Sequence, residues 1–133
     1  MMEHTASCRC GQLKANVTGL PVRVSVCHCL NCKKRSGSAF AVQARWPAEL
    51  VTIEGQSKSW VIVADSGNPA TFYFCPECGS DVYYEINGKF DGLIAIPLGA
   101  FDDPYFLQPG FSVWEERKNS WVEILGEDVE HTF

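Results

Sequence analysis

Between residues 11 and 18, Leu13, Ala15 and Val17 alternate with Gln12, Lys14 and Asn16. A period of two over this length predicts a half-buried strand. Gly19-Leu20-Pro21 breaks the pattern and residues 22–26 resume it, so the two segments are expected to pair as a hairpin that ends at Cys27. Residues 30–36 lose the alternation, collect Lys33, Lys34 and Arg35, and stop at Gly37. That predicts about one or two helical turns with Cys32 on the inner face. Extended segments are expected at 39–46, 50–54 and 59–64, with a short helical turn at Pro47-Ala48-Glu49-Leu50. Asp65-Ser66-Gly67-Asn68-Pro69 signals a turn. Residues 71–74 and 81–86 flank a Cys-Pro-Glu-Cys-Gly turn as a second hairpin, closed by Asn87-Gly88. A strand is expected at 93–96, and a last strand pair at 111–115 and 121–125.

The pattern amounts to about nine or ten short antiparallel strands with little helix, an all-β chain. Its 133 residues fit a single domain over 1–133, with enough chain to bury a core. A hydrophobic content of 46% against 20% charged residues excludes a disordered chain. Trp46, Trp60, Phe72, Phe74, Trp114 and Trp121 are expected mainly in the core. The net charge of −5 argues against a dedicated nucleic-acid binder or a membrane-surface protein. No apolar run reaches the length of a membrane span. Residues 1–5 lack the basic and apolar regions of a secretory signal, so a cytoplasmic location is expected, where thiols stay reduced.

The seven cysteines change the picture most. They fall in three groups: Cys8-Arg9-Cys10, then Cys27-His28-Cys29-Leu30-Asn31-Cys32, then Cys75-Pro76-Glu77-Cys78-Gly79. An odd count, the reducing compartment and pairs one residue apart all argue against a disulfide scaffold. Grouped thiols point to metal. Cys75 and Cys78 grip one ion across a tight turn, and Gly79 supplies the backbone freedom such a turn needs. Cys8 and Cys10, on one face of an extended segment, offer the second pair of a four-thiolate structural zinc. Cys27, Cys29 and Cys32 then remain as three ligands with an open position, the pattern of a catalytic zinc. Spacing alone leaves a second division open: Cys29 and Cys32 with Cys75 and Cys78 as a long-looped ribbon, leaving Cys8, Cys10 and Cys27. Lys33, Lys34 and Arg35 stand ready to offset the charge of several thiolates or to bind the carboxylates of an acidic thiol substrate, a role open to Arg45 as well. His28, between two candidate ligands, points opposite to them on an extended segment and is read as a surface histidine. His4 and His131 carry no motif.

The order of these motifs resembles the glutathione-dependent formaldehyde-activating enzyme family, whose domain is also named for its similarity to centromere protein V. The resemblance rests on Cys8-x-Cys10-Gly11, on Cys27-His28-Cys29-x-x-Cys32 with its basic tail and Ser36-Gly37-Ser38-Ala39-Phe40, and on Phe74-Cys75-Pro76-Glu77-Cys78-Gly79. It extends to Ser66-Gly67-Asn68, Leu98-Gly99, Asp102-Asp103-Pro104 and Trp121. It implies a β-tent fold with zinc knuckles, a structural zinc on Cys8, Cys10, Cys75 and Cys78, and an active-site zinc on Cys27, Cys29 and Cys32. It implies carbon–sulfur lyase chemistry on glutathione or a similar small thiol and its formaldehyde adduct. Phe72 and Phe111 stand where members often carry an arginine and a histidine, which makes the surroundings more apolar than the family pattern.

Two other readings are kept beside the enzyme. A zinc-stabilised interaction module would close the second site with a fourth protein ligand. A dithiol redox protein would join Cys29 to Cys32 in a disulfide.

Overall fold

The fold is that of a computed structural model, which describes residues 2–63, 67–88 and 90–133. Its strands are β1 (Glu3–Ser7), β2 (Lys14–Thr18), β3 (Arg23–Cys27), β4 (Ala41–Pro47), β5 (Val51–Glu54), β6 (Lys58–Val63), β7 (Pro69–Phe74), β8 (Asp81–Ile86), β9 (Leu93–Pro97), β10 (Phe111–Val113) and β11 (Glu130–His131). The single α-helix among the described residues, α1 (Leu30–Ser36), follows β3. The chain is therefore all-β, as its alternation predicts. No described helix is long and apolar enough to cross a membrane.

Among the described residues the strands form two sheets, a small one in the order β1-β2-β5 and a large one in the order β11-β10-β3-β4-β9-β8-β7-β6. The buried residues of β1 and β2, Ala6, Ala15 and Val17, pack with Val24, Ala44, Trp46, Ile94 and Ile96 of the large sheet in one apolar cluster. Trp46 is fully buried; its Nε1–H donates to Gly19 O at 3.1 Å, and its ring lies 5.4 Å from that of Phe101. The alternate residues of the large sheet face the other way: Arg23, Ser25 and Cys27 on β3, Gln43 and Arg45 on β4, and Ala95 on β9. This second face carries the site described below.

The expected hairpin of residues 11–18 with 22–26 does not form. β2 pairs with β1 and β5, whereas β3 pairs with β4 and β10. Alternation marks both segments as strands but does not name their partners, and the chain crosses between sheets at residues 19–22. The hairpin of β7 and β8 forms across the Cys-Pro-Glu-Cys-Gly turn, with a register shift at Tyr73 and Phe74. Nor is the strand expected at 121–125 present. Both edges of β10 are occupied, by β3 and β11, each in parallel register, so that segment has no free partner there. The parallel pairs also correct the expectation of an entirely antiparallel chain. β1 and β11 are strands that the alternation did not announce. Helix α1 ends at Gly37, whose left-handed φ of 66° lets its N–H close on Lys33 O. Trp60 and Trp121 are 61% and 74% exposed, not core, and Trp60 lies on edge strand β6. The turn expected at 65–69 and the end of the segment at 59–64 lie partly outside the described residues.

Gln12 ties the small sheet to the cysteine turn. Its Nε2–H₂ donates to Gln56 O at 2.8 Å and to Cys75 Sγ at 2.9 Å, while Gln56 N–H donates to its Oε1 at 2.9 Å. Gly55 makes room for it: its φ is +97°, and a β-carbon there would collide with the Gln12 carbonyl oxygen. Gly55→Ala is therefore expected to destabilise the fold by about 1–3 kcal/mol or more, from left-handed strain and displacement of Gln12. Urea unfolding measures this, and an unchanged midpoint would contradict the reading.

Candidate metal and thiol site

Cys8 follows β1, Cys10 lies two residues on, and Cys75 and Cys78 sit in the turn after β7. Their four sulfurs lie within 4.8 Å of one another, with Cys8 and Cys10 3.6 Å apart and Cys10 and Cys75 3.7 Å apart. Four sulfurs around a tetrahedral zinc at about 2.3 Å would stand about 3.8 Å from each other. The residues fit such an ion. Backbone N–H groups point at the sulfurs, as thiolates require: Leu13 to Cys8 at 3.3 Å, Glu77 to Cys75 at 3.3 Å and Cys78 to Cys75 at 3.5 Å. Burial pushes the Cys75 thiol up, but the N–H of Cys78 and the amide of Gln12 outweigh it and hold it below its ordinary value. Ser80 Oγ, 3.5 Å from Cys78 Sγ, leads the contacts that bring Cys78 down to about 5.

The second cluster joins Cys27, Cys29 and Cys32, also within 4.8 Å of one another. The pairing of the thiols is thus two plus two and a trio; the long-looped ribbon of Cys29 and Cys32 with Cys75 and Cys78 is not formed. Cys27 ends β3. Cys29 is the N-cap of α1, its Sγ accepting the Cys32 N–H at 3.3 Å. Cys32 lies in the first turn. Contacts from Cys27 and Cys32 favour charge on Cys29 and hold its thiol far below its usual value, while Cys27 is pushed up as their donor. Three sulfurs this close together are a ready metal ligand set. Among the described residues no histidine or carboxylate joins them.

The trio opens into a cavity of about 450 Å³. Its walls come from β10 and β11 on one side and β7 and β8 on the other, so the large sheet curves around it. Tyr84, fully buried on β8, contributes a phenol that burial pushes up to about 12, so it stays protonated at neutral pH. Trp114, also on the wall, has a left-handed φ of 57°, the one such non-glycine residue described.

Of the basic segment, Arg35 alone lines the cavity. Three residues along α1 from Cys32, it shares that helix face. Its guanidinium lies 4.8 Å from the Tyr84 ring centroid, and its Nε and Nη2 are buried without a partner among the described residues. Its contact with Asp81, at 3.9 Å, is an ion pair too long for a hydrogen bond. Lys33 and Lys34, expected beside it at the substrate, are not on the wall of this cavity. Lys33 Nζ is held by Arg117 O and Asn119 Oδ1, each at 2.6 Å, and Lys34 is exposed. Helical rotation turns both away from Cys32.

His28 points away from the trio, as expected of an extended segment, but it is 0% exposed rather than a surface residue. Its Nε2 lies 2.9 Å from Ser112 Oγ, which fixes β3 to β10. Arg23, Ser25 and Gln43 also line the cavity, as does Arg45. In sequence they alternate with Val24, Val42, Ala44 and Trp46, a pattern that also describes a solvent-facing strand, and the register that sets Arg23 opposite Arg45 is not written in it.

The geometry defines a small all-β protein with two cysteine clusters able to bind metal, one of them open to a cavity. The family model described as "Glutathione-dependent formaldehyde-activating enzyme" matches residues 3–117, and the chain belongs to that family. No curated protein matches the chain.

Two outcomes follow for the clusters and one for the cavity wall. Cys78→Ser should release metal and most of the folding free energy, because binding energy at a junction of two sheets is folding energy. Cys29→Ala should lose metal only at the trio, a short local loop, and keep the fold. Metal content and thermal unfolding of both variants check this; equal unfolding would show that the two roles are wrongly divided. For Tyr84, a folded-state value above the ordinary 10.0 means that its contribution to stability is complete below about pH 10 and falls as pH rises towards about 12. Stability measured across that window should fall less in Tyr84→Phe than in the unaltered protein.

Proposed function

We propose that residues 1–133 form one zinc-binding domain that adds a small thiol, glutathione or a relative of it, to formaldehyde and reverses that addition as a carbon–sulfur lyase. The carrying observation is the trio of Cys27, Cys29 and Cys32, which has three sulfurs, no fourth protein ligand among the described residues, and a cavity beside it. A four-cysteine zinc on Cys8, Cys10, Cys75 and Cys78 would hold the two sheets together. A zinc ion on the trio would keep the sulfur of a substrate thiol in its thiolate form at neutral pH.

The reaction forms one bond between the thiol sulfur and the aldehyde carbon, and the carbonyl oxygen takes up the proton lost from sulfur. Reversal breaks the same C–S bond and returns the proton. Arg35 is placed to stabilise negative charge beside Cys32. Tyr84, protonated at neutral pH, is suited to donate a hydrogen bond to an oxygen in the cavity. The buried aromatic wall of Phe72 and Tyr84 limits water around the reacting atoms. A cytoplasmic site of action fits the free thiols that this chemistry uses.

The test is exchange of labelled formaldehyde with its glutathione adduct, followed by magnetisation transfer on protein shown to carry two equivalents of zinc. Exchange is expected to exceed the buffer rate, to fall to background in Cys29→Ala, and to fall about 100-fold in Arg35→Gln, as for loss of one preorganised charge-stabilising donor. Exchange at the buffer rate with both sites loaded would favour an interaction module instead.

A further inference from the structure

The register of the large sheet divides the floor of the cavity in two. One row crosses the strands from Arg45 on β4 through Ala95 on β9, Tyr84 on β8 and Phe72 on β7 to Trp60 on β6, each opposite the next. The β4 end of this row is cationic. From Ala95 onward it is apolar or aromatic. The neighbouring row repeats the change, with Ile86, Ala70 and Ile62 opposite one another on β8, β7 and β6. Tyr84, Phe72 and Ile86 line the cavity. They belong to a hydrophobic cluster separate from the main core. The Phe72 and Tyr84 rings are 4.9 Å apart and tilted by 30°, and both are buried, so this wall is fixed by packing.

Helix α1 brings the cysteine trio to the aromatic half. Arg35 lies one turn from Cys32, at about 5–6 Å between β-carbons. Its guanidinium stands 4.8 Å from the Tyr84 ring centroid and 5.7 Å from that of Phe72. A group attached to sulfur on the Cys32 side of the trio therefore meets these rings within the length of one side chain. Formaldehyde carries only hydrogen on its carbonyl carbon and covers none of this wall. A wall that served only to keep water from a one-carbon unit would close directly on the trio. Here about 450 Å³ remains between the β7–β8 side and the β10–β11 side. Apolar surface facing such a space favours an apolar occupant in proportion to the area covered.

We propose that the carbonyl partner this site takes best is an aldehyde larger than formaldehyde, with an aryl or branched alkyl substituent that packs on Phe72 and Ile86 beside Tyr84. This rests on the reading that the trio handles a thiol and its carbonyl adduct. The step is the same addition. Sulfur bonds the carbonyl carbon, the π pair of the C=O bond passes to oxygen, and oxygen takes the proton lost from sulfur. Reversal breaks the C–S bond and returns the proton, with no oxidant or reductant. The substituent takes no part in the step; it supplies binding at the reacting end of the adduct.

Two measurements on the zinc-loaded full chain test this. Calorimetry compares S-benzylglutathione with S-methylglutathione, stable thioethers that share every charge and differ only in the group on sulfur. The benzyl compound is expected to bind at least about tenfold more tightly, as for a group filling an apolar pocket. Phe72→Ala and Ile86→Ala should each reduce that margin. Magnetisation transfer then measures exchange of formaldehyde, 3-methylbutanal and benzaldehyde with their glutathione adducts. Acceleration over the buffer rate is expected to be at least about tenfold greater for the two larger aldehydes. Equal binding of the two thioethers by the unaltered protein, a comparison that needs no variant, overturns the proposal. So does a margin that persists in both variants with their circular dichroism unchanged. Acceleration for formaldehyde that equals or exceeds that for the larger aldehydes also overturns it, and leaves the lyase reading standing. A margin that falls in both variants while no aldehyde exchanges supports the apolar subsite and tells against the lyase reading alone.

Discussion

Four sulfur atoms drawn from two sheets meet within 4.8 Å, and the arrangement of those sheets depends on that meeting. Cys8 and Cys10 come from the small sheet's end of the chain, and Cys75 and Cys78 from a turn of the large one. The convergence fixes where β1 ends and where the β7–β8 hairpin turns. It also fixes how Gln12 must reach across to Cys75. Thiolates so close repel unless a cation or donated N–H groups lie among them, and the surrounding backbone supplies the donors. The apolar layer between the sheets, from Ala6 and Val17 to Trp46 and Ile96, takes in Cys8 and Cys75 and so is continuous with this junction.

The other face of the large sheet is organised by charge. Cys29 caps α1, and the turn of that helix sends Arg35 to the cavity while Lys33 and Lys34 face elsewhere. Arg23 and Arg45 add two more cations among aromatic rings, with Glu130 the acid on the same wall. Such a cavity suits an anion near sulfur, because the protein provides positive charge there and leaves several donors unfilled. Phe72 and Phe111 fit this view as stacking surfaces: Phe111 lies against Arg23, and Phe72 is 5.7 Å from Arg35. An aromatic residue can therefore replace a polar one without making the site electrically neutral.

The sequence by itself determined the all-β class, most strand positions, the helix at 30–36 with its Gly37 stop, and the grouping of the cysteines. These are local properties: alternation, turn chemistry and the reach of thiols two or three residues apart are written in neighbouring positions. It also held the family motifs that residues 3–117 match. Only the tertiary structure decided which strands pair, since β2 and β3 have equivalent alternation yet belong to different sheets. It chose between the two divisions of the cysteines, because spacing permits Cys78 to meet either Cys10 or Cys29. It buried His28, exposed Trp60 and Trp121, and turned Lys33 away from the site. Arg23 and Arg45 show the physical reason most clearly. A polar residue on alternate positions of a strand reads the same whether that face meets water or a cavity, and only the curvature of the whole sheet distinguishes the two.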